Sequence, residues 1–119
     1  IGNSAYGVAG LTETLACREN FSYVVGKFQG IDRHPGKLNN PHKQVVKLIV
    51  AKECGRIIGG SVLGGVSAGE LINVIGFIIQ AGMTVNDLLV SQIGTQPMLT
   101  ASPAAYPLIK AAEVAAKLL

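Results

Sequence analysis

An α+β fold is what this sequence predicts, on three observations. Short β-type segments separated by turn residues come early in the chain, helix-opening capping patterns come later, and no repeat or linker divides the two. The expected order is strand, helix, three strands, then helices. This gives an antiparallel sheet of about four to five strands packed against helices. At 119 residues the chain has room for one compact domain with its own core.

Ala5 to Ala9 is short and apolar and reads as the first strand. Thr12 follows as an N-cap for a short helix through Arg18, because its hydroxyl can accept an otherwise unpaired backbone N–H. Phe21 to Gly30 is the second strand, and the Pro-, Gly- and Asn-rich stretch from Asp32 to Pro41 is a loop. In the third, Gln44 to Ala51, Val46, Leu48 and Val50 form a wholly apolar face. Lys52 to Gly55 makes a tight turn, and Arg56 to Leu63 returns as the fourth strand. Gly59 and Gly60 inside that strand imply the close approach of another element.

Ser67 and Glu70 have capping-box spacing and open a helix that runs to Ala81, with Gly82 ending it. Leu71, Ile72, Ile75, Ile78 and Ile79 give this helix one apolar face, while Val74, Phe77 and Ala81 make the opposite side apolar too. A sheet covers one side of such a helix. Something else must cover the other. Thr84 and Asp87 cap a short third helix, and an alanine-rich helix begins at Pro107, a residue suited to the first helical turn.

Composition narrows the function. Apolar residues are 49% and charged residues 14% of the chain, so part of its apolar surface is expected to meet a partner. The run from Leu71 to Ala81 is broken by Asn73 and Gln80 and is shorter than the roughly 20 residues of a membrane span, so no membrane is expected. The net charge of +3 comes mainly from Lys27, Arg33, Lys37, Lys43, Lys47, Lys52 and Arg56, scattered over strands and loops. With few aromatic residues to stack on bases, nucleic acid is not expected either. The chain starts at Ile1 without a methionine or a signal-like segment, and the expectation is a piece of a longer protein.

Candidate chemistry is sparse. The glycine-rich stretch Gly59 to Gly65 lies between a strand and a helix start, where backbone amides can hold an anion. It has neither G-x-G-x-x-G spacing nor a following Lys-Ser or Lys-Thr, so packing is the expected role. A free-standing small-ligand or anion-binding domain built on that turn is the alternative reading. His34 and His42 lack ligand partners at metal-site spacing, so no metal is expected. Cys17 and Cys54 form no C-x-x-C pair, and a reducing, cytoplasmic setting follows.

Five stretches in order, Gly10-Leu11-Thr12-Glu13, Val46 to Ile49, Gly55 to Gly60, Ala68 to Asn73, and Gly82 to Val85 with Asp87-Leu88, carry a resemblance. Together they resemble the C-terminal dimerisation domain of FAD-dependent pyridine nucleotide-disulphide oxidoreductases, the family of dihydrolipoamide dehydrogenase, glutathione reductase, mercuric reductase, NADH oxidase and coenzyme A-disulphide reductase. The resemblance implies a two-fold homodimer, with FAD and NAD(P)H held by preceding domains of the parent and no cofactor in this segment. It also accounts for the helix that is apolar all round, and assigns Leu71, Val74, Ile75, Phe77, Ile78 and Tyr106 to the interface.

In disulphide-reducing members of that family, a His-Pro-x-x-x-Glu segment crosses to the partner, where its histidine is the acid-base for the redox cysteines. Here the stretch reads Gln96-Pro97-Met98-Leu99-Thr100-Ala101. Gln96 and Ala101 stand at the histidine and glutamate positions, and neither side chain exchanges a proton near neutral pH. No catalytic residue is expected within the chain, and the NADH oxidase and coenzyme A-disulphide reductase branch is favoured. By the same resemblance Gln96 and Pro97 approach the partner's flavin, and Tyr106 faces the partner's cleft.

Overall fold

The computed structural model describes residues 5–31, 43–65, 68–91 and 106–119. Strands β1 (Ala5–Gly10), β2 (Tyr23–Ile31), β3 (Lys43–Ala51) and β4 (Ile57–Gly64) form one antiparallel sheet in the order β1-β4-β3-β2. The helices are α1 (Glu13–Arg18), α2 (Ala68–Ala81), α3 (Val85–Leu89) and α4 (Pro107–Leu118). The element order is the one the sequence implies, and the strand segments before the late helices make the fold α+β.

Register follows from the alternation of the strands. Val46, Leu48 and Val50 of β3 pair with Val62, Gly60 and, past a register shift, Ile57 of β4 on one side and with Phe28, Gly26 and Val24 of β2 on the other. Successive side chains point to opposite faces, so these residues share the face that packs against the late helices. Val46, Leu48, Val50 and Val62 join Leu71 and Ile75 of α2 and Leu108, Ala111 and Ala115 of α4 in one core. Helix α2 lies over β1 and β4, while α4 lies over β2 and β3.

The close approach inferred at Gly59 and Gly60 is there, one on each face. A Cβ on Gly60 would sit 2.8 Å from Cγ2 of Ile75, so its bare backbone lets α2 settle on the sheet. On the opposite face a Cβ on Gly59 would collide with the backbone carbonyl of Leu11, whose N–H donates to the Ile58 carbonyl at 3.0 Å. This pins the link from β1 to α1 across the sheet. Thr12 caps α1 as expected, accepting the Leu15 N–H at 3.2 Å.

The late helices are punctuated as the sequence implies. Gly82 takes φ +71°, and the Met83 N–H reaches back to the Ile78 carbonyl at 3.1 Å, closing α2 with a left-handed cap. The chain then rejoins the sheet. Ile57 N–H donates to the Met83 carbonyl and Val85 N–H to the Gly55 carbonyl, both at 3.0 Å. Thr84 and Asp87 form the expected capping box of α3. Ser67, the first member of the box expected for α2, lies outside the described residues.

Candidate pairing surface

With its sheet-facing stripe occupied, α2 presents the rest of its circumference outward. Leu71, Ile75 and Ile78 are buried in the chain's own core. They face the sheet, which leaves them little surface of their own. Val74, at 41% exposure, and Phe77, at 70%, remain outside. Of the six residues expected at an interface, Val74 and Phe77 are the exposed ones.

Tyr106 is half-buried at the N-cap of α4, packed against the edge of the core, and burial raises its phenol pKa above the ordinary value. Gln96, Pro97 and Ala101 lie outside the described residues, as do His34 and His42.

The sheet face away from α2 and α4 is also partly open. Tyr6 pairs with Leu63 and Val8 with Ser61 on that face, and Tyr6, Val8 and Leu63 are exposed. The start of α1 covers the middle of it, where Glu13 forms an ion pair with Lys47 of β3. Both side chains remain partly open to solvent, which screens the pair, so it contributes under about 1 kcal/mol. The cleft beneath it, walled by Tyr6, Thr12, Lys47 and Ile49, holds about 40 Å³, well below the roughly 300 Å³ of a small-molecule site.

Gly59 and Gly60 of the glycine-rich stretch lie within β4, and a Cβ at either would meet Leu11 or Ile75, so both positions serve packing. Among the described residues no three His, Cys, Asp or Glu side chains converge. Cys17 and Cys54 are exposed free thiols. None of the described helices is long and apolar enough to cross a membrane.

The described surface exposes apolar side chains on α2 and on the open sheet face. The model of the pyridine nucleotide-disulphide oxidoreductase dimerisation domain matches residues 2–105. The chain belongs to that family. This dimerisation domain is 36% identical over 93 residues to the dihydrolipoyl dehydrogenase of Buchnera aphidicola, a match covering 78% of the chain and 19% of the relative. Among solved structures it superposes on a NAD-dependent persulfide reductase from A. fulgidus with TM-score 0.88 and 27% identity, over 99% of the chain and 22% of that protein. It superposes on the reduced CoADR-RHD protein of Bacillus anthracis with TM-score 0.87 and 27% identity, over 99% of the chain and 21% of that protein. The chain spans about a fifth of the length of these proteins.

The outward half of α2 was legible in the sequence only as apolar. What the sequence did not give was its orientation. The missed signal is the distribution of polar residues: Asn73 and Gln80 flank Phe77 at helical spacing and mark the outer arc.

Proposed function

We propose that this domain joins two copies of a longer FAD-dependent oxidoreductase into a homodimer, pairing through the outer surface of α2. The observation that carries the reading is Phe77, 70% exposed on a dimerisation domain. Burying such a ring returns about 2 kcal/mol relative to leaving it in water, and Val74 extends the apolar surface along the same helix.

In this reading the parent holds FAD and NAD(P)H in domains that precede Ile1. Gln96 and Pro97 approach the partner's flavin, and Tyr106 lies toward the partner's cleft, so that each subunit completes the other's active site. With Gln96 and Ala101 in place of an acid-base pair, the chain positions groups for the parent's chemistry and carries no proton itself. The free thiols suit a reducing cytoplasm.

Sedimentation equilibrium of the chain tests the pairing. A reversible dimer is expected, and Phe77→Asp is expected to shift it to monomer with far-UV circular dichroism unchanged. A chain that stays monomeric up to its solubility limit overturns the reading. The parent gene should carry a G-x-G-x-x-G strand-turn-helix and redox cysteines upstream, and a parent without them ends the flavoprotein assignment.

A further inference from the structure

We draw no further inference here: the strongest candidate, the open face of the sheet where Tyr6, Val8 and Leu63 lie exposed beside the Glu13–Lys47 ion pair, is an apolar surface and nothing in the structure shows what covers it.

Discussion

Gly26 of β2 lies directly beneath Ala115 of α4: a Cβ on the glycine would come 2.7 Å from the alanine methyl and would collide with the Ala111 carbonyl. The alanine-rich helix and the bare strand position are two halves of one fit. Strand propensity alone says that any side chain improves on glycine at a strand interior, by up to about 1 kcal/mol. Packing says the reverse, and it wins because the obstacle is backbone. Gly26→Ala is expected to destabilise the chain by about 1–3 kcal/mol, read as a lower urea midpoint with an unchanged slope.

The capping box of α3 makes a second prediction. Thr84 Oγ1 accepts the Asp87 N–H at 3.2 Å, and Thr84 N–H donates to the Asp87 carboxylate at 2.9 Å. The helix has only five residues, too few to persist without its ends satisfied, and it buries Val85 and Leu88. Thr84→Ala should cost about 1 kcal/mol of stability. Hydrogen exchange should show faster opening at Asp87 and Leu88, and protection unchanged at those amides would contradict the role given to the cap.

A third concerns alkaline pH. Burial raises the Tyr106 phenol above its ordinary value of 10.0 because it disfavours the phenolate. The folded chain therefore holds this proton more tightly than the unfolded one. The resulting stability is fully present below pH 10.0 and is lost as pH rises through the folded pKa. Thermal melts should show Tyr106→Phe losing less stability than the parent sequence over that range. Equal losses in the two proteins would refute it.

Much of the fold could be read from residues whose role is local. Thr12, Gly82 and the Thr84–Asp87 box act through backbone groups within a few positions, so their pattern in sequence is already their mechanism. Gly59 and Gly60 announced that something comes close, and something does on both faces. That it is Leu11 on one side and Ile75 on the other depends on register, which no local pattern encodes. The candidate site was legible in kind but not in detail. Asn73 and Gln80 are the only polar residues between Leu71 and Ala81 and outline one arc, yet apolar content alone groups Leu71, Ile75 and Ile78 with Phe77. Only the seating of α2 on Gly60 and the β1 edge separated core from surface.

The strand order carries a consequence for biosynthesis. β1 leaves the ribosome well ahead of its hydrogen-bonding neighbour β4, with α1, β2 and β3 synthesised in between. Strands β2, β3 and β4 pair in chain order, whereas β1 has to wait, with Tyr6 and Val8 uncovered on a nascent polypeptide. Late capture of this strand completes the ledge on which α2 rests, so the time taken to translate β2, β3 and β4 sets how long the apolar side chains of β1 stay open to chaperones or to neighbouring chains.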